Sequence, residues 1–195
     1  MMFAGIDFGS KRAGSTSICI GDEAGNVNNL LISARGKDAD AFLLKQIGDY
    51  KLSHIFIDSP LSLPGIYRGL KAYDDYFYRF CDRETGAMSP MFLGGLTARA
   101  IKLKDHWEEA GIAVYEVWPS MMALEMGLNR DVYKSTKERI LPAWQVVLDS
   151  GYVKWSRKPE SWHELDAVLA YISGLRIHKG IAKAYGRKEE GLIYV

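Results

Sequence analysis

The chain has 195 residues, a net charge of +1, and 48% hydrophobic against 25% charged residues. That length makes one domain with a sizeable core the default, and the composition is ordinary for a globular protein. The near-zero charge excludes a strongly basic, nucleic-acid-coating protein but leaves room for a nuclease with a local basic surface.

No stretch approaches the roughly 18–20 apolar residues of a membrane span. The Met-Met-Phe-Ala opening lacks a basic leader, so neither a membrane partner nor a signal peptide is expected. Cys19 and Cys81 lie far apart in different kinds of segment. They read as unpaired thiols in a reducing compartment, which makes the cytoplasm the expected location.

Residues 2–8, 15–21 and 27–34 read as three strands, with the turn-rich Gly21-Asp22-Glu23-Ala24-Gly25-Asn26 between the second and third. An amphipathic helix is predicted over 38–49 and a fourth strand over 53–58. Residues 60–95 form an irregular insertion broken by Pro60, Pro64 and Pro90, with a short helix near 69–80. Thr97 can cap a helix running to Ala110 and stopped by Gly111. A fifth strand spans 112–118, and another helical piece starts at Ser120. A longer helix over 131–150 carries Pro142 as a kink or break. Ser161 opens the last long helix, with Glu164 completing the Ser-x-x-Glu capping pattern. Residues 191–195 form a closing strand. A meander followed by crossover helices implies a mixed α/β sheet with helices on its faces, all in one domain over 1–195.

Two carboxylates stand out in this frame. Asp7 ends the apolar run Met2-Phe3-Ala4-Gly5-Ile6, and Asp58 ends Ile55-Phe56-Ile57. Both runs read as buried central strands. An unpaired carboxylate at such a tip costs several kcal/mol, so two in one sheet point to a site that gathers negative charge for a divalent cation. A right-handed crossover placing the fourth strand beside the first would set Asp7 and Asp58 about 5 Å of strand spacing apart.

In the last helix, Ala167, Ala170, Tyr171 and Gly174 make a mostly small-residue stripe that permits close approach to the sheet. Asp166 stands at the start of that face, and His163, three residues earlier, shares it. The blander alternatives are turn-capping for Asp7 and Asp58, a helix-dipole role for Asp166, and a polar first-turn role for His163. Glu116 reads as a fourth ligand or a residue that orients one. Residues 67–83 interleave six aromatics with Arg68, Lys71, Arg79 and Arg83. That pattern suits either a nucleic-acid surface or an amphipathic helix packed on the core.

These motifs together resemble the ribonuclease H-like superfamily, and within it an uncharacterised family of predicted RNase H-like nucleases with resolvase-like motifs. The residues carrying the resemblance are Gly5-Ile6-Asp7, Ile57-Asp58-Ser59-Pro60-Leu61, Arg79-Phe80-Cys81-Asp82-Arg83, Glu116-Val117-Trp118-Pro119, His163-Glu164-Leu165-Asp166-Ala167 and Glu190-Gly191-Leu192-Ile193-Tyr194-Val195. The resemblance implies a mixed five-stranded sheet, with an antiparallel meander and then parallel crossovers, flanked by helices. It implies a metal-dependent nuclease with Asp7, Asp58 and Asp166 as ligands of two Mg²⁺ or Mn²⁺ ions about 3.5–4 Å apart. His163 and Glu116 would assist catalysis. Arg79, Arg83, Lys134 and Arg139 would contact substrate phosphates. The expected partner is DNA or RNA, and a homodimer is compatible with the chain. The shorter Asp58 stands where many superfamily nucleases carry Glu.

Two other readings compete. Gly5-Ile6-Asp7-Phe8-Gly9-Ser10 resembles the first phosphate loop of actin-like ATPases, but the chain lacks room for their second domain. A non-catalytic nucleic-acid-binding protein on the same fold also meets the near-neutral charge.

Overall fold

A computed structural model describes residues 1–129 and 131–195. Its main sheet has five strands in the order β3-β2-β1-β4-β5. These are β1 (Met2–Asp7), β2 (Ser17–Asp22), β3 (Val27–Ile32), β4 (Leu52–Asp58) and β5 (Ala113–Glu116). β1–β2 and β2–β3 are antiparallel; β1–β4 and β4–β5 are parallel. The mixed sheet expected of a ribonuclease H-like chain is the one observed.

Strand alternation splits the core in two. Ala4, Ile6, Ile55 and Ile57 face α1 (Ala39–Gly48) and α4 (Gly95–Glu109), meeting Leu43, Ile47, Ala100, Leu103 and Trp107. Phe3, Cys19, Leu30 and Phe56 face the opposite layer, where α7 (Trp162–His178) lies across the sheet with α5 (Pro119–Glu125) and α6 (Ile140–Asp149) behind it. The small-residue stripe does what its spacing implies. A Cβ added to Gly5 would come within 2.3 Å of the Ala167 carbonyl, and one on Gly174 within 2.1 Å of the Phe56 ring. Glycine at these two points lets α7 lie directly on β1 and β4.

Three expectations fail locally, and one strand forms that the sequence does not announce. Residues 69–80 form turns. The Asp75 side chain accepts the backbone N–H groups of Phe77 and Tyr78, which diverts the chain from a helical ladder. The helix forms later, as α2 (Phe80–Thr85), followed by α3 (Pro90–Leu93). Thr97 caps nothing, because α4 already begins at Gly95 and the Thr97 hydroxyl donates to the Pro90 carbonyl. The helix expected over 131–150 shrinks to α6 after a 3-10 turn at Lys137–Arg139. Pro142 falls in its first turn, where a missing N–H breaks no helical bond and no kink results. The closing strand β7 (Gly191–Tyr194) pairs with an unexpected β6 (Ala184–Arg187). Ala-Tyr-Gly-Arg lacks the apolar alternation that would betray a strand.

Candidate active site

Asp7 and Asp58 are register partners on the parallel strands β1 and β4. They share the parity of Gly5 and Phe56, so both project toward α7 at the carboxyl ends of their strands. The first turns of α7 supply the third acid. Asp166 is fully buried, and His163 Nδ1 lies 2.7 Å from Asp7 Oδ2, tying helix to strand. Ser161 caps the helix by accepting the Glu164 N–H at 3.2 Å. Glu164 bonds the Glu160 N–H and Arg157 rather than returning to Ser161, so only half of the expected capping box forms.

The acids feel one another. Burial, then the neighbouring Asp7 and Asp166 carboxylates, hold Asp58 well above the usual carboxylate range. Burial and Asp7 push Asp166 up to about 6, against the opposing pull of Lys134 and Tyr133. The hydrogen bond that the Asp7 carboxylate accepts raises the His163 imidazole.

Two residues of the 131–136 turn complete the cluster. The Tyr133 hydroxyl donates to Asp166 Oδ1, and Lys134 Nζ stands 2.6 Å from Oδ2. That second contact is a charge-assisted ion pair, and among the described residues it is the one partner of the buried Oδ2. Trp162 braces the turn, its indole edge-on to Tyr133 and its Nε1 donating to the Thr136 carbonyl. Sequence reasoning missed Tyr133 and placed Lys134 with the phosphate contacts. The helix expected over 131–150 would have put both residues in its first turn, and no feature of the sequence marks the turn that forms instead.

Glu116 and Arg79 form a separate buried network that borders the cavity beside Asp58. Glu116 pairs in register with Ile57, so alternation turns its side chain to the α4 face, opposite that of Asp7 and Asp58. Its two oxygens accept from Arg79 at 2.6 and 2.7 Å, and one also accepts the Leu61 N–H. Arg79 is 0% exposed and also binds Asp82 and Ser62, which leaves it no face for a substrate phosphate. Arg83 pairs with Asp75 and covers the Tyr78 ring, 3.8 Å from its centroid. Arg139 is exposed at the start of α6. Neither makes an ion pair with the three acids.

A cavity of about 100 Å³ beside Asp58 is walled by Ser59, Met88, Glu116 and Trp118, among others. A wider cleft of about 690 Å³ opens beyond Glu116 along β5 and α4, away from Asp7 and Asp166. The cleft's carboxylates Glu108, Glu116 and Glu190 are each paired or hydrogen-bonded within their own networks, apart from the three acids.

Among the described residues, no group of three or more His, Cys, Asp or Glu side chains is arranged to hold a metal ion as it stands. The donor set nevertheless fits a hard divalent cation. Three carboxylates converge, and the buried Oδ2 of Asp166 already faces a cation, the Lys134 ammonium.

No family model and no curated protein matches the chain. Among solved structures, it is similar to that of Thermus thermophilus RuvC at 16% identity, covering 94% of this chain and 99% of that one with a TM-score of 0.48. No helix among the described residues is long and apolar enough to cross a membrane.

Proposed function

We propose that this protein is a divalent-cation-dependent nuclease that hydrolyses phosphodiester bonds. The observation that carries the reading is the convergence of Asp7, Asp58 and Asp166 from β1, β4 and α7 on one sheet end. Carboxylates set side by side weaken a fold unless something else demands them. Mg²⁺ or Mn²⁺ held by these three acids would supply Lewis-acid charge to a phosphodiester. His163 is half-exposed and bound to Asp7 through Nδ1, which leaves Nε2 to take or give a proton. Glu116 and Arg79 act at a distance, holding the Leu61 end of the loop that follows Asp58.

The nucleic acid would lie over the neighbouring aromatic surface. Tyr76, Phe77 and Phe92 are each more than half exposed. Phe77 and Tyr78 contact Phe92, and Arg83 covers Tyr78. Met88, from the same segment, walls the cavity at Asp58. Exposed rings beside cations stack on unpaired bases and bind phosphate. The expected location is a reducing compartment such as the cytoplasm, in keeping with the two buried free thiols.

One observation favours non-catalytic nucleic-acid binding as a second reading: the Lys134 ammonium already neutralises Asp166. The actin-like reading finds less support, because the Gly9 amide of its phosphate loop is spent on the Thr16 hydroxyl.

The test is a cleavage screen with Mn²⁺ on single-stranded, duplex and branched DNA and RNA. Nuclease activity that drops at least ~100-fold in Asp7→Asn and Asp58→Asn supports the proposal. Full activity in both variants refutes it, and binding without cleavage favours the second reading.

A further inference from the structure

We propose that Lys134 is a tethered counter-ion, held among the acids in place of a divalent cation and released toward the substrate when that cation enters. The inference rests on the nuclease reading above and adds a mode of regulation to the same site.

Three independent observations carry it. The Nζ–Oδ2 contact to Asp166 is close, at 2.6 Å, and the ammonium is the one cation paired with this buried oxygen among the described residues. The ammonium thus occupies the position at Asp166 that a cation would take. The backbone pays a cost to aim this side chain. Lys134 has φ 60°, and among the described residues it is the one non-glycine residue with positive φ. That conformation is unfavourable for a residue with a Cβ, and such outliers gather where a side chain must be placed for function. Finally, the side chain is 43% exposed while its partner Asp166 is 1% exposed. The amine can leave along its own solvent-facing side without opening the core.

The surroundings favour exchange over permanent pairing. Asp7, Asp58 and Asp166 all act on Lys134, while Tyr133 keeps its own bond to Asp166 Oδ1. His163, tied to Asp7, completes the ring of titratable groups at the cluster. One ammonium cannot neutralise three carboxylates, so a divalent ion at the same oxygens should displace it. The freed amine would stand on a long stem at the rim of the acid cluster, within reach of a substrate phosphate. The cluster is thereby kept partly neutral, and the fold tolerable, whenever metal is scarce.

Lysine labelling of the wild-type full-length chain, with and without millimolar Mn²⁺, tests the exchange directly. An amine-reactive acetylating reagent would be used, with site occupancy read by mass spectrometry. Lys134 should label more slowly than Lys137 without metal and several-fold faster with it. In parallel, calorimetric titration of Mn²⁺ into Lys134→Met should show binding tightened by roughly 10-fold over wild type, because a built-in competitor is gone. Metal-bound protein with unchanged Lys134 labelling overturns the proposal, as does weaker Mn²⁺ binding by a folded Lys134→Met. Absence of Mn²⁺ binding in both proteins overturns it as well. Metal-triggered labelling without any cleavage leaves the exchange standing while removing the nuclease reading, so the two fail separately.

Discussion

At Asp58 the cost of the site can be read from one side chain. Its carboxyl is raised by burial and by two neighbouring carboxylates, so its ionised form works against the fold. Replacing it with Asn removes the charge and keeps the shape. Asp58→Asn should therefore raise the melting temperature near pH 7.5 by about 2–4 °C, the shift that ~1 kcal/mol produces in a domain of this size, while abolishing any metal-dependent activity.

The pH dependence has a definite sign. Asp58 and Asp166 have folded values above the unfolded ~4, so the native state binds more protons than the unfolded chain. Each contribution is present below about 4 and is lost as pH climbs through the raised folded value, which is about 6 for Asp166. His163, also raised, adds stability below its unfolded ~6.5 that disappears as pH passes its higher folded value. Melting curves of the metal-free protein should thus fall from pH 5 to 8. The gap to Asp58→Asn should widen over the same range; a gap that is constant with pH would show that Asp58 carries no buried charge. Arg79 gives the opposite lesson. Glu116→Ala would leave its guanidinium buried against Asp82 alone, and breaking such a pair costs about 3–5 kcal/mol. Chemical denaturation should register that loss.

At the level of elements, the close seat of α7 on β1 and β4 is what brings Asp166 to the strand tips. Gly174→Ala would drive a Cβ into the Phe56 ring, and should destabilise by about 1–3 kcal/mol and disturb the site together with the fold. The surface segment between β4 and α4 should behave independently. Phe92→Ala is exposed, so it should leave the melting temperature within about 1 °C. It should nonetheless weaken binding of single-stranded oligonucleotides by at least ~5-fold in fluorescence anisotropy, the loss of one stacking contact.

These elements were unevenly legible. Asp7 and Asp58 announce themselves because each ends an apolar run, and the small residues of α7 announce its proximity to the sheet. β6 has no such pattern. The turn holding Tyr133 and Lys134 depends on a left-handed backbone that side-chain periodicity does not encode. Glu116 joins the other acids in the sequence reading because it stands near a strand end before Trp118-Pro119. The pleat, which sends it to the opposite face with Ile57, could be read only once the register was known. The burial of Arg79 was equally hidden, since a buried Arg differs from a surface one only by its partners.

Across the whole molecule, two cores on opposite faces of one sheet clamp β1 and β4 from both sides. Rigid strands of this kind hold their terminal carboxylates in place at a stability cost that the surrounding burial absorbs. Everything functional then follows from whether those carboxylates take a cation together. The most direct measurement is an anomalous-difference map from crystals of the full chain soaked in millimolar Mn²⁺. The account predicts a peak bounded by Asp7, Asp58 and Asp166, with the Lys134 side chain withdrawn from Asp166. A fully soaked crystal with no peak among these three acids, and Lys134 still seated on Asp166, would contradict it.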